Sequence, residues 1–462
     1  MQITHLRPKR TGFTPSQIVV FGFLGVNILG TMLLALPMSS VAPGSTDLLT
    51  AAFTSVSALS LTGLTVVETA TYWTFFGQMV ILALIKIGGL GIMSLGSLLG
   101  LLLAQRVSFK TKLSSTEESK ALGLDDFRGL VFRVFQISLA IELVLTSVLT
   151  LQFRFTYEQS WGDSLWHGFF HGISAFNNAG FSTFEGSLAR FVSDPIVLLA
   201  ISFAVIVGGL GFPVIIELAR RLIRRLHLAT FRAAELGVHL SMTARITLTF
   251  SLALLVLGSV YFGLMEWSNP ATYGNLSASD KVVNAFVSSV MARNAGLSAV
   301  DYSALTRESW LGTEILMFIG GGSAGTSGGL RITTFAVLIY IVIAEIRGDA
   351  RVNVGARRLG VSVQRTAVSL ALLGTATVLL GVLALELMTD LPTERIVFEV
   401  ISAFGTCGLS TGITAELPAG AKIVLMVQMF AGRIGLVLVA TALARRMKTL
   451  NYRLPKERPL IG

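Results

Sequence analysis

The sequence predicts an all-α integral membrane protein with eight transmembrane helices plus four re-entrant pore helices, arranged as four pseudo-symmetric helix, pore-helix, helix repeats around one central pore. Three observations carry this reading: hydropathy, the placement of the basic residues, and a glycine motif that occurs four times. Of the 462 residues, 53% are hydrophobic and only 13% charged. The mean hydropathy of +0.73 lies far above what a domain with a water-facing surface carries. Forty-six glycines against eleven prolines, spread through the apolar stretches, favour helices packed closely in lipid over disorder. The single cysteine, Cys407, excludes a disulfide framework and a Cys-based metal cluster.

Apolar runs of about 20 residues, the length that crosses the hydrocarbon core as helix, begin near Pro15, Gly129, Thr243 and Val361. Each is followed by a shorter run and then by a second long one, starting near Trp73, Pro195, Trp310 and Lys422. The shorter runs, Asp47–Leu59, Asp163–Phe176, Asp280–Ala292 and Thr393–Phe404, are too short to span and are expected to be re-entrant. The chain then divides into a cytoplasmic amino-terminal segment 1–14, repeats at 15–127, 128–240, 241–360 and 361–450, and a cytoplasmic tail 451–462. The first run ends at Leu36, Pro37 and Met38 without an A-x-A-like site, so it is expected to be a helix and not a removable signal peptide.

Topology accounts for the formal charge of +10 better than nucleic acid, which is not an expected partner. Twenty-five of the 36 Lys and Arg residues fall at the two ends of the chain or in the clusters Arg106–Arg128, Arg220–Arg245 and Arg347–Arg365 between repeats. The alternate segments carry acids instead, among them Glu68, Glu185, Asp194, Asp301 and Glu416. The positive-inside rule therefore places both termini in the cytoplasm, with the plasma membrane (a bacterial inner membrane) as the location. Membrane lipid is an expected partner, since polybasic loops also bind anionic headgroups.

The four short runs end alike. Ser57 to Thr65, Ser174 to Ser182, Val290 to Ser298 and Ser402 to Ser410 each close on glycine, a large apolar residue, then Ser or Thr. The glycines, Gly63, Gly180, Gly296 and Gly408, are spaced 117, 116 and 112 residues apart. One such glycine would be an ordinary helix C-cap, but four in register define a repeat. An even number of spans between copies keeps all four in the same orientation, as a pore requires, whereas an inverted-repeat transporter would alternate. Half-helices entering from outside point their partly negative carboxyl ends at the bilayer centre, where they favour a cation. The segment after each helix can then turn backbone carbonyls inward to replace a hydration shell. Glycine permits the backbone this needs, and small neighbours, Thr62, Ala179, Ala295 and Cys407, fit beside it.

On these residues the chain resembles the Trk/Ktr/HKT superfamily of potassium and sodium transporters, most closely the Ktr-type (KtrB-like) membrane subunits. The likeness covers nearly the whole chain, and the short segment before Pro15 leaves no room for the extra helices typical of Trk-type subunits. The resemblance implies a selectivity filter at Leu61, Thr62 and Gly63; Asn178, Ala179 and Gly180; Asn294, Ala295 and Gly296; and Thr406, Cys407 and Gly408, with potassium held by the filter carbonyls. Relatives with serine at the first filter position tend toward sodium, so Gly63 leans toward potassium. The resemblance further implies a homodimer closed by the tail Pro455–Gly462 and a cytoplasmic KtrA-like ring on the basic loops. Any nucleotide would bind that ring, and no covalent cofactor is expected here.

A second glycine register follows 24 to 28 residues after the first, at Gly88, Gly208, Gly320 and Gly432. In the third repeat it widens to Gly320, Gly321, Gly322, Ser323, Ala324, Gly325, Thr326, Ser327, Gly328 and Gly329, too glycine-rich for a straight helix. Family resemblance makes this run an intramembrane gate below the filter. Arg433 sits inside an apolar stretch, where an arginine is costly and normally faces a cavity or partner. The resemblance puts it against the gate. Lys86 is another buried cation, expected near a turn that reaches polar partners, and Arg293 is expected to pair with Glu399 and brace the filter from behind.

Other motifs are set aside. Gly320-x-Gly322-x-x-Gly325 follows no strand and opens no βαβ unit, so it is not a dinucleotide site. His167 and His171 share a helix face, yet no Glu intervenes as in H-E-x-x-H, and a capping or interfacial role fits better. The serines of the glycine-rich run have no histidine in reach, which argues against an intramembrane protease and against an enzyme altogether. A sodium- or proton-coupled transporter would want titratable carboxylates at mid-depth, and Glu142 and Glu386 are the candidates. A sodium-preferring channel is the alternative within the class.

Overall fold

The computed structural model describes residues 15–42, 44, 46–91, 124–227, 240–355 and 357–435. The terminal segments 1–14 and 451–462, the cations between Arg106 and Lys120, and Arg232 lie outside the described residues. Four triads of helices follow one another. The first comprises α1 (Pro15–Leu34), α2 (Leu48–Ser60) and α3 (Phe75–Gly91). The second comprises α4 (Leu124–Thr156), α5 (Trp161–Phe176) and α6 (Pro195–Leu210), with α7 (Phe212–His227) after a break. The third comprises α8 (Met242–Glu266), α9 (Ala278–Asn294) and α10 (Arg307–Ile319), with α11 (Ile332–Ile346) after a loop. The fourth comprises α12 (Val361–Glu386), α13 (Thr393–Gly405) and α14 (Ala419–Ile434). The basic segment between α11 and α12 also forms a two-residue antiparallel ribbon, Asn353–Val354 with Arg357–Arg358, that hydropathy gives no hint of.

The short helices begin and end by side-chain chemistry. Asp47, Ser160 and Ser277 cap them by accepting the N–H groups of Thr50, Asp163 and Asp280 at 3.3, 3.1 and 3.2 Å. Asp163, Asp280 and Glu394 add negative charge to the first turns, where the helix dipole favours it. At the other end α2, α5 and α13 close by the same Schellman pattern: the N–H groups of Thr62, Ala179 and Cys407 reach back to the carbonyls of Ser57, Ser174 and Ser402 at 2.9, 2.8 and 2.9 Å. The left-handed residues this demands are Leu61, Asn178 and Thr406, at φ of 57°, 56° and 48°, none of them glycine. Helix α9 differs, since Ala295 has φ −112° and its N–H returns to Met291.

Packing closes these triads into a ring. Each short helix lies between the long helices of its own triad, and the third helix of one triad leans on the short helix of the next: α6 on α9, α10 on α13, and α14 back on α2. Between the first and second triads Trp166 Nε1 on α5 donates to Gln78 Oε1 on α3 at 2.9 Å. The outward faces are apolar: Leu252, Val256, Leu257, Val260 and Leu264 on α8 are exposed, as are Leu372, Leu379, Leu380 and Leu383 on α12. Such a surface belongs in lipid.

Val134–Thr156, α8 and α12 are each long and apolar enough to cross a membrane, and α6 with Phe212–Arg221 forms a pair bent by 106°. The second long runs of the triads are thus not all the continuous helices that hydropathy suggests. Helix α6 breaks at Gly211 (φ 91°), α10 stops at Gly320 (φ 70°) and α14 ends at Gly435 (φ 90°), left-handed positions that glycine adopts without strain. The second glycine register also has a packing reason. A Cβ on Gly88, Gly208 or Gly432 would collide with the carbonyl oxygen of Leu59, Phe176 or Phe404, at the ends of the three Schellman-closed helices. Gly432→Ala should therefore cost about 1–3 kcal/mol and lower the unfolding midpoint in detergent. Gly25→Ala, which meets open space on α1, should not.

Candidate functional site: a ring of four glycines

The four short helices deliver their terminal glycines to one place. A Cβ on Gly63 would lie 2.7 Å from the carbonyl oxygen of Ala179, and one on Gly180 would lie 2.9 Å from that of Ala295. One on Gly296 would strike the Cys407 carbonyl, and one on Gly408 the Thr62 carbonyl. Each glycine thus faces the carbonyl of the residue just before its neighbour's glycine, in the cyclic order first, second, third, fourth. All four glycines have left-handed φ, between 62° and 92°. All four line a single cavity of about 370 Å³, whose wall also carries Glu68 and Asp301. The arrangement concentrates oxygen dipoles and excludes side chains, which suits a dehydrated cation.

Serines hold the ring in shape. Gly63 N–H donates to Ser57 Oγ and Gly408 N–H to Ser402 Oγ, both at 3.1 Å, while Ser174 Oγ donates to the Phe181 carbonyl at 2.7 Å. The third repeat has Val290 at this register and makes no such bond. Cys407 turns its thiol away from the ring to the Met291 carbonyl at 3.2 Å, leaving only its backbone at the site. His171, fully buried, meets Ser182 Oγ at 2.9 Å, and His167 meets Thr183 Oγ1 at 2.6 Å. The pair therefore braces the chain after Gly180, which corrects the interfacial role expected of His171.

The anticipated Arg293–Glu399 pair is absent. Arg293 projects onto its own first helix and donates to Ser251 O and Oγ at 3.3 and 3.2 Å. Glu399 accepts from Ser410 Oγ at 3.0 Å and from Thr414 Oγ1, within its own repeat. Each residue thus finds its partners within its own repeat. Lys86 instead has a buried carboxylate partner, Glu142 on α4.

Residues before the glycines meet the run 320–329. Gly321 lies against the amide of Asn294 and Gly328 against the side chain of Thr406. Asn178, with its amide turned as its neighbours require, accepts from Thr326 Oγ1 at 3.3 Å. Residues after the glycines, including Thr65, Ser182, Ser298 and Ser410, line the cavity. The run and the cavity are thus at opposite ends of the ring. The run threads the α6–α7 break, where Gly322 N–H donates to Gly209 O at 2.8 Å and Phe212 N–H to Ala324 O at 3.3 Å. Arg433, 1% exposed, donates to the Thr326 carbonyl and, at 3.3 Å, to the Gly88 carbonyl.

A family model for the TrkH cation transport proteins matches residues 8–451. The chain belongs to the TrkH family. Among relatives of this TrkH-family protein, the Ktr system potassium uptake protein B of Bacillus subtilis (strain 168) is 36% identical over 97% of this chain and 96% of its own. Its namesake from Vibrio alginolyticus is 35% identical, covering 99% and 96%. The potassium/sodium uptake protein NtpJ of Enterococcus hirae is 30% identical, covering 98% of both chains. The crystal structure of the potassium transporter TrkH from Vibrio parahaemolyticus shares the fold, with a TM-score of 0.71 at 18% identity over 96% of this chain and 87% of that one.

In this TrkH-family protein the serines were the part of the site that sequence reasoning passed over, although the signal was there: Ser begins the motif in three copies of four. Replacing Ser57 or Ser402 with Ala leaves a glycine N–H unpaired, fully buried at Gly63 and partly buried at Gly408, a loss of about 1–3 kcal/mol where burial is complete. Cation flux through Ser402→Ala in liposomes should discriminate less between monovalent ions than the unmodified protein.

Proposed function

We propose that this protein is the channel-like translocating subunit of a potassium uptake system, passing K+ down its electrochemical gradient through the glycine ring. The observation that carries the reading is that all four glycines open into one cavity while each abuts a neighbour's backbone carbonyl. The carbonyls around Thr62, Ala179, Ala295 and Cys407 then substitute for the ion's water. The membrane potential supplies the drive, about 2.3 kcal/mol per charge per 100 mV. Gly320 to Gly329 form the gate, pinned by Arg433, whose charge opposes cations beneath the ring.

The same reading gives eight crossings and four re-entrant helices, both termini in the cytoplasm and the bacterial inner membrane as the location. The Ktr system named for two relatives has more than one component, and the partner proposed here is a cytoplasmic nucleotide-binding ring docked on the basic loops. A homodimer is proposed as well. Sodium is the second reading, favoured by the Enterococcus hirae relative, a potassium/sodium uptake protein. Coupling to sodium or protons through Glu142 is disfavoured, because Lys86 already engages that carboxylate.

Purified protein in liposomes under an imposed voltage tests the proposal. Gly408→Ser places a Cβ against the Thr62 carbonyl at a left-handed φ of 92°. It should lower the potassium-to-sodium flux ratio about tenfold, equivalent to ~1.4 kcal/mol, or abolish flux. An unchanged ratio at all four glycines rules the filter out, and flux that needs a second ion gradient makes the chain a coupled transporter. Arg433→Ala should raise flux in the absence of any partner; equal flux places the gate elsewhere.

A further inference from the structure

We infer that Lys86 and Glu142 are positioning residues for the second filter segment, acting through Asn177. The inference rests on the filter reading above. Lys86 lies in the last third of α3 of the first repeat, and Glu142 belongs to α4 of the second. Lys86 Nζ contacts both carboxylate oxygens and Ser138 Oγ at 3.1 Å, and Ser138 Oγ donates to Glu142 Oε1 at 2.9 Å. Glu142 is 3% exposed and Ser138 not at all. The oxygen that collects these bonds also accepts from Asn177 Nδ2 at 3.0 Å. Asn177 is fully buried and immediately precedes Asn178, Ala179 and Gly180.

Three further observations bear on what the cluster does. Gly89, one turn of α3 beyond Lys86, carries no side chain where a Cβ would strike Asn177 Oδ1, so α3 is shaped around that amide. The intervening Gly88 offers its carbonyl to Arg433 and presses on Leu59 O, so one turn of α3 touches the ends of two short helices and the arginine. Most telling is the third repeat. Arg293 stands three residues before Gly296, as Asn177 stands three before Gly180, and it too reaches the first helix of its own triad, at Ser251. Two repeats thus tie the same filter register back to the long helix behind it with different chemistry.

A buried ion pair gives no stability that a well-packed apolar pair would lack. What it gives here is a fixed, charged acceptor for the second of the two bonds made by the Asn177 amide, whose other bond goes to the Ile173 carbonyl of its own helix at 2.9 Å. Charge neutrality can be kept while that acceptor is removed, which separates positioning from folding. In full-length protein in liposomes, Lys86→Met with Glu142→Gln leaves no unpaired charge and retains an acceptor, and should keep the wild-type potassium-to-sodium flux ratio. Lys86→Met with Glu142→Leu removes the acceptor and should lower the ratio about tenfold while potassium flux persists, the size of one lost hydrogen bond to a charged group. Asn177→Ala in the otherwise unaltered chain should reproduce that drop, and decides the matter alone if the leucine variant aggregates. Equal ratios in both double variants, or an unaltered ratio in Asn177→Ala, overturn the inference. Gly408→Ser measured alongside separates the two ideas: if it leaves the ratio unchanged, the filter reading itself has failed and this inference goes with it.

Discussion

The architecture depends on one close approach, a helix-terminal carbonyl pressed onto a glycine of the third helix in a triad. Leu59 on Gly88, Phe176 on Gly208 and Phe404 on Gly432 are the same contact made three times. A side chain on any of these glycines would push the short helix off its partner, and the ring at its tip would open with it. The contact gives a packing reason for glycine at three positions inside apolar helices. Backbone against backbone leaves nothing between the elements that could adopt a second rotamer, which is how the carbonyls beside the four glycines are held in place.

The fourfold pattern fails in one repeat, and the failure is consistent across levels. The third repeat lacks the serine at Val290 and the left-handed entry that Leu61, Asn178 and Thr406 provide, and its glycine register ends α10 instead of packing on a short helix. The chain released by that break is the run that meets Asn178, Asn294 and Thr406. Loss of a packing contact in one quarter thus produces the segment proposed as a gate, while the other three quarters keep the ring rigid.

Much of this was legible in the sequence for a simple reason: the repeat is written in residue type and spacing. Gly63, Gly180, Gly296 and Gly408 announce themselves by recurrence, and the short runs by being too short to span. The side-chain network was not legible, because it depends on rotation about helix axes and on which triads become neighbours. Arg293 and Glu399 looked like partners by depth, yet each found a hydroxyl closer to hand. Lys86 and Glu142 lie 56 residues apart in different repeats, and no local rule joins them. The break at Gly211 was hidden for another reason, since hydropathy measures how long an apolar run is and not whether its backbone continues straight.

Closing the ring in a single polypeptide has a consequence for how the molecule is made. Gly408 meets Thr62, and Arg433 meets Gly88, across 345 residues in the latter case, so the fourth repeat completes a site that the first repeat began. During synthesis the early helices must wait, with their ring-facing backbone unmatched, until the last short helix enters. A ribosome that stalls before Thr393 leaves three quarters of a ring, in which the segments of the first and third repeats lack the Gly408 and Cys407 backbone they pack against.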